Sequence, residues 1–158
     1  MKFDNVCVIR VPRSKLWDFM TVIPNVAKCL PGVEEVTELE GGKFAGIIMV
    51  KVGIVKMRLS GKITIEVMDK ERHLAIMSVQ AADQRISGMI QGKLRMNLEE
   101  LVAGETKLSV ETDLNLFGKI GEFGGPIIKK KADQMMAEFA KNVAAGVATT
   151  TSSASNNS

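Results

Sequence analysis

The chain has no tyrosine, one tryptophan, one histidine and two cysteines in 158 residues. Each scarcity removes a class of chemistry. The single histidine, His73, sits in the charged stretch Asp69-Lys70-Glu71-Arg72-His73, which reads as a solvated hairpin turn rather than a proton shuttle. Cys7 and Cys29 lie in neither a CxxC pair nor a metal-ligand spacing, so two reduced thiols are expected. Cys29 precedes a Pro-Gly helix stop and reads as a small buried apolar residue rather than a nucleophile. There is no phosphate-cradling glycine motif: Phe117-Gly118-Lys119-Ile120-Gly121 has two glycines at a strand end without a nucleotide fingerprint. No apolar run is long enough for a signal peptide or a membrane span, and a cytoplasmic protein is expected. Basic excess is also missing. Residues 1–79 hold 12 Lys/Arg against 9 Asp/Glu, residues 80–158 hold 9 of each, and nothing asks for nucleic acid.

What remains is an ordinary single-domain composition, 46% apolar and 25% charged, with ten methionines. Residues 3–11 read as a strand ended by Pro12, and Ser14 as the cap of a short helix over 15–20. Ile23-Pro24-Asn25 breaks that helix; a second short one spans 26–30 and stops at Pro31-Gly32. From Val33 to Leu116 the chain reads as six strands joined by tight turns such as Gly41-Gly42. The cleanest alternation sets Val55, Met57, Leu59, Gly61, Ile63, Ile65 and Val67 against a polar face, as in an antiparallel sheet covered on one side.

One long helical pattern follows. Ile128, Ala132, Met135, Met136, Phe139, Val143 and Val147 keep three-and-four spacing from Pro126 to Val147, roughly 33 Å at ~1.5 Å per residue. It is the only cover large enough for the apolar face of seven strands. The expectation is a curved seven-stranded antiparallel sheet wrapped round this helix over residues 1–147, with 148–158 a disordered polar tail. Gly46, Gly61, Gly88 and Gly92 fall on apolar-face positions, where they either bend the sheet and leave room inside or mark bulges.

Three motifs resemble the carbon monoxide dehydrogenase G-subunit family. Ala27-Lys28-Cys29-Leu30-Pro31-Gly32-Val33-Glu34 is similar to its signature after the second helix, and Val50-Lys51-Val52-Gly53-Ile54-Val55 to a turn where Ile54 replaces the usual proline. Gly118-Lys119-Ile120-Gly121-Glu122-Phe123-Gly124, with Ala132, Met135-Met136, Phe139-Ala140 and Asn142, is similar to its helix pattern. The resemblance runs from about Lys2 to Ala145 and implies a START-like, helix-grip α+β fold that holds a hydrophobic molecule between sheet and helix. It further implies an accessory, non-enzymatic role beside a molybdenum-containing hydroxylase, association with membrane recruitment, and exchange of a bound quinone or other lipophilic molecule, with no covalent cofactor. The polar tail after Val147 lacks the apolar or basic stretch of a membrane anchor, which leaves transient contact with the inner face of the cell membrane. A cyclase- or hydrolase-type enzyme and an assembly factor with a packed interior are the alternatives.

The expected cavity-facing set is Leu30, Met57, Leu59, Ile63, Ile76, Ser78, Ile90, Leu94, Met96, Leu114, Leu116, Phe117, Phe123, Ile127, Ile128, Met135 and Phe139. Methionine suits irregular or promiscuous apolar surfaces, and Ser78, Gln80 and Thr112 are the polar candidates. Asp83 ends an apolar strand and, with Gln80, is the titratable or polar end of that strand nearest the cavity. Gly124-Gly125-Pro126 would hinge Phe117–Phe123 as an entrance facing Leu30-Pro31-Gly32. Lys129-Lys130-Lys131 lies just inside; a solvated face or attraction to anionic groups both fit it.

Overall fold

A computed structural model describes the backbone of residues 1–83 and 85–156, and side chains as far as Thr149 apart from Gln84. Alternation and turn chemistry place the elements in the expected order. Strand β1 is Lys2–Ile9, followed by helices α1, Arg13–Met20, and α2, Ile23–Cys29. The strands β2 to β7 are Val33–Glu38, Lys43–Val52, Val55–Asp69, Leu74–Asp83, Gly88–Glu100 and Thr106–Gly118. A 3-10 turn, Lys119–Glu122, leads into the long helix α3, Gly125–Asn156.

The sheet order is β1-β7-β6-β5-β4-β3-β2, every neighbouring pair antiparallel. Strands β1 and β2 are consecutive in sequence yet form opposite edges, which a flat seven-stranded sheet would hold roughly 29 Å apart at ~4.8 Å per strand. The α1–α2 segment bridges them and closes the open side of a sheet that curls toward it.

The glycines permit that curl. Gly46 and Gly61 are paired across β3 and β4. A Cβ on Gly61 would lie 2.1 Å from the Gln80 carbonyl oxygen, and one on Gly92 would lie 2.1 Å from that of Asp113. Neighbouring strands therefore approach too closely for any side chain. The register shifts fall elsewhere, at Val33/Glu35 and Ile65/Val67, so these glycines mark close approach rather than bulges.

Several local expectations change. Pro12, not Ser14, occupies the cap position of α1, with no side-chain cap. Ile23-Pro24 begins α2 instead of breaking a helix, because proline's missing N–H costs nothing in a first turn. His73 is half-buried, its ring edge-on to Trp17 with centroids 5.5 Å apart, rather than free in solvent. Helix α3 does not stop at Val147: its backbone stays helical to Asn156, and the Thr149 hydroxyl donates to the Ala145 carbonyl at 3.0 Å. Residues 157 and 158 of the expected tail lie outside the described residues.

Two apolar cores result. The larger joins Ile9, Leu16, Trp17, Cys29, Met96, Leu98, Leu108, Phe139 and Val143, where α1, α2 and the middle of α3 meet the sheet. The smaller, at the far end, joins Val52, Met57, Leu59 and Ile120. Between them, on the β2–β5 side, the inner face is left partly uncovered.

Candidate functional site

The site is built on α2. Its apolar residues Ile23, Val26, Ala27 and Leu30 keep the spacing of one helix face, and that face looks onto the sheet. Opposite it stand Val33 and Val36 of β2, Phe44 and Ile48 of β3, Leu59 and Ile63 of β4, and Val79 of β5. Gly46, Gly61 and Ala81, adjacent across three strands, make the floor low. The space is about 160 Å³ and is partly open to solvent. An engineered apolar cavity of ~150 Å³ in another protein takes up a benzene ring. One ring-sized apolar group fits here, with any chain attached to it leaving through the opening.

The chemistry of the wall is uniform. Glu35, Lys62 and Gln80 border the cavity, but strand alternation turns their side chains to the outer face, where Glu35 and Lys62 flank Thr37 and Ser60. No ionisable side chain is directed at the space, and no cluster of metal-ligating groups occurs among the described residues. Asp83 is buried but serves the backbone: its carboxylate accepts the Arg58 N–H at 2.7 Å and the Arg85 N–H at 2.9 Å. These bonds, the Arg58 one foremost, with the Arg85 charge, hold its pKa below the usual carboxylate range. Asp83 is an anchor for the β5–β6 turn, not a cavity acid. Burial pushes the Cys7 thiol up to about 11 and raises that of Cys29, which places both on the protonated side at neutral pH. Iodoacetamide at pH 8 is expected to leave both unmodified in the folded chain and to label both in denaturant, as peptide mapping would read.

Of the residues expected to line a cavity, Leu30, Leu59 and Ile63 do so. Met57, Ile90, Leu116 and Phe123 pack in or against the smaller core, and Met96 and Phe139 in the larger. Leu94 and Leu114 sit half-buried on the inner face of β6 and β7 around Gly92, and Ile128 is half-buried on α3. Met135 lies in a separate groove with Pro31, Gly32 and Lys51. Ile76 and Ser78 are on the outer face, a correction to the inward alternation read for β5. The regular pairing of β5 with β4 and β6 sets Ala81 beside Gly61, Val79 beside Ile63 and Ala75 beside Met96, so Ala75, Met77, Val79 and Ala81 point in. The bulge at Ile65/Val67 lies on β4, where it turns Val67 to the outer face beside Ile76. Phe117 and Ile127 are exposed, at 45% and 53%. The expected entrance is closed as well: Ile120 is fully buried against Gly88, which pins the Phe117–Phe123 segment to the sheet.

Three polar contacts hold the walls. Asn142 of α3 donates to the Cys29 carbonyl at 2.9 Å, fixing the C-terminal end of α2. Asn5, buried on β1, donates to Asp133 of α3, which also accepts from Lys129 at 3.1 Å. Those two partners, Lys129 first, lower the Asp133 pKa. Thr112 is buried on the inner face between Phe3 and Leu94, well away from the cavity floor.

The same architecture occurs in solved structures. A conserved protein from Geobacillus kaustophilus superposes with a TM-score of 0.83 at 13% identity, over 94% of this chain and 96% of its own. A START superfamily protein from Mycobacterium smegmatis gives 0.66 at 10% identity, over 94% and 97%. The Zhui aromatase/cyclase from Streptomyces sp. R1128 gives 0.55 at 14% identity, over 93% and 90%. These likenesses establish the helix-grip, START-like fold. No curated protein sequence matches the chain significantly. The sequence model of the carbon monoxide dehydrogenase G-subunit family matches residues 7–148, a span that starts in β1, takes in the α2 wall and every later strand, and ends in α3. With that much of the fold matched in order, the chain belongs to the carbon monoxide dehydrogenase G-subunit (CoxG) family.

Proposed function

We propose that this chain is a non-enzymatic accessory protein that binds a ring-bearing lipophilic molecule, of the isoprenoid quinone class, on behalf of a molybdenum-containing carbon monoxide dehydrogenase-type hydroxylase. The observation that carries the reading is the apolar cavity between α2 and β2–β5, partly open to solvent and free of directed ionisable groups. A wall of this kind rewards burial of a flat apolar ring and offers an isoprenoid tail an exit, while it supplies neither acid nor base. The family membership supports an accessory role, and the hydroxylase partner and quinone follow from it as part of the proposal. Resemblance to an aromatase/cyclase is a likeness of fold, and the cavity lacks the titratable cluster that cyclisation would need.

Native mass spectrometry with added ubiquinone-1 tests this. Wild-type chain is expected to retain one quinone. Ala27→Trp, which puts an indole into the space, is expected to retain none while its melting temperature stays within a few degrees. A wild-type chain that holds no quinone under these conditions would sink the reading, as would equal retention by the variant.

A further inference from the structure

We propose that the β3–β4 hairpin tip, with the lysines around it, is a wedge that docks on an anionic lipid surface. Val52 and Val55 pair to close a two-residue turn, Gly53-Ile54, and Gly53 takes the positive φ of 62° that such a turn requires. Ile54 is thereby left 96% exposed, touching almost nothing of its own chain. A single exposed apolar residue is ordinary. This one is held at the outermost point of a rigid hairpin whose base, Val52 and Met57, is in the smaller core.

The charges beside it are equally unexplained by folding. Lys51 and Lys56 are directly opposite one another across the two strands, a like-charge pair that disfavours the sheet. Antiparallel topology brings the end of β7, the 3-10 turn and the start of α3 to this same end of the sheet. They add Lys119, Lys130 and Lys131, together with the exposed apolar side chains of Ile127 and Phe117. None of these five lysines has an ion-pair partner among the described residues. The exposed acidic groups at this end are Glu34 and Asp133, which pair with Arg58 and Lys129, and Glu122 and Glu138, which pair with none of the five lysines. The turns at the opposite end mix the signs with acids in excess: Glu38, Glu40, Glu99, Glu100 and Glu105 stand against Lys43 and Lys107, and Asp69 and Glu71 against Lys70 and Arg72. An apolar point set in a basic collar matches the two layers of an anionic bilayer, acyl chains beneath negative head groups. No helix among the described residues is long and apolar enough to cross a membrane, so the contact is peripheral.

The docking surface deepens the carrier reading by naming the face that would meet the bilayer, yet the two fail separately. Co-sedimentation of the full chain with vesicles of equal phosphatidylglycerol and phosphatidylcholine, at about 0.1 M salt, is the test. Wild-type chain is expected to pellet with these vesicles and to remain in solution with phosphatidylcholine alone. Ile54→Asp and the double variant Lys51→Glu/Lys56→Glu are each expected to weaken binding by roughly tenfold or more. Leu101→Asp, at the opposite end, should bind as wild type. The Ile54 side chain supports nothing, so Ile54→Asp keeps the native melting curve and remains informative if the lysine variant folds poorly. A full chain that ignores anionic vesicles, or tip variants that bind as well as wild type, would overturn the proposal; the first result would leave the tip to a protein partner. Quinone retention without vesicle binding removes the docking surface alone, and vesicle binding without quinone removes the carrier reading alone.

Discussion

Replacing Phe139 with alanine is expected to lower the unfolding free energy by about 3–5 kcal/mol, read from denaturant titration. Phe139 is 4% exposed and shares the larger core with Trp17, Met20, Cys29 and Leu98. This is where α3 is bolted down, because the helix rests on β1 and α2 and only brushes β3. Truncation there opens a void that α1 and α2 cannot both collapse into, since Asn142 still ties α2 to the helix. Met135→Ala, four residues earlier, removes a half-buried side chain that lines a groove and belongs to neither core, and is expected to cost under about 1.5 kcal/mol. A similar loss at both positions would show that the N-terminal half of α3 is as firmly packed as the middle. If Phe139→Ala also abolishes quinone retention, the cause is the displaced α2 wall, because Phe139 does not reach the cavity.

The periodicities made the fold readable almost element by element. Six strands between Val33 and Gly118 appear as clean alternation, and the long helix appears as a three-and-four stripe. What that pattern reports is which face is apolar, and both cores satisfy it equally well. Met57, Met96 and Phe139 look inward as expected, but they fill space instead of lining it. The cavity is set by where cover is missing, and that depends on how far the sheet curls and on which helix spans its open side. Neither has a local signature.

One signal was available. Ile23, Val26, Ala27 and Leu30 carry the spacing of a helix face, but Pro24 obscured it because a proline near a helix start reads equally well as a break. The small residues Gly46, Gly61 and Ala81 were visible individually; only the register reveals that they adjoin. The exchange of Ile76 and Ser78 for Ala75 and Met77 has the same origin: β5 from Leu74 to Val79 offers apolar or small side chains on either face, and only the pairing with Ile63 and Ile65 decides between them. Val67 differs for another reason: a one-residue bulge at Ile65/Val67 turns it from the apolar face read for β4 to the outer face, and no residue there announces a bulge.

Asp83→Asn is expected to destabilise the chain by about 1–3 kcal/mol at neutral pH and to flatten its acid limb. The carboxylate, only 2% exposed, receives two backbone N–H groups, from Arg58 on β4 and Arg85 in the β5–β6 turn, with the Arg85 guanidinium 3.7 Å away. A neutral amide offers one acceptor oxygen where two donors converge, so one N–H loses its partner and the –NH₂ confronts a donor. Because the folded pKa lies below the unfolded one, the ionised form favours the folded state. Its contribution is fully present above the unfolded carboxylate range and is lost as pH falls through the depressed folded pKa. Wild-type stability should therefore fall on acidification over that window, while Asp83→Asn starts lower and falls less, the difference between them narrowing toward acid. Melting curves from pH 7 downward measure it; parallel curves would mean that the charge of Asp83 contributes nothing and that its burial is sustained by packing alone. The consequence reaches the cavity. Asp83 continues the inner face of β5 two residues beyond Ala81 on the floor, so loss of its grip on β4 loosens the floor from below. Quinone retention by Asp83→Asn should then weaken in step with stability, even though its carboxylate takes no part in binding.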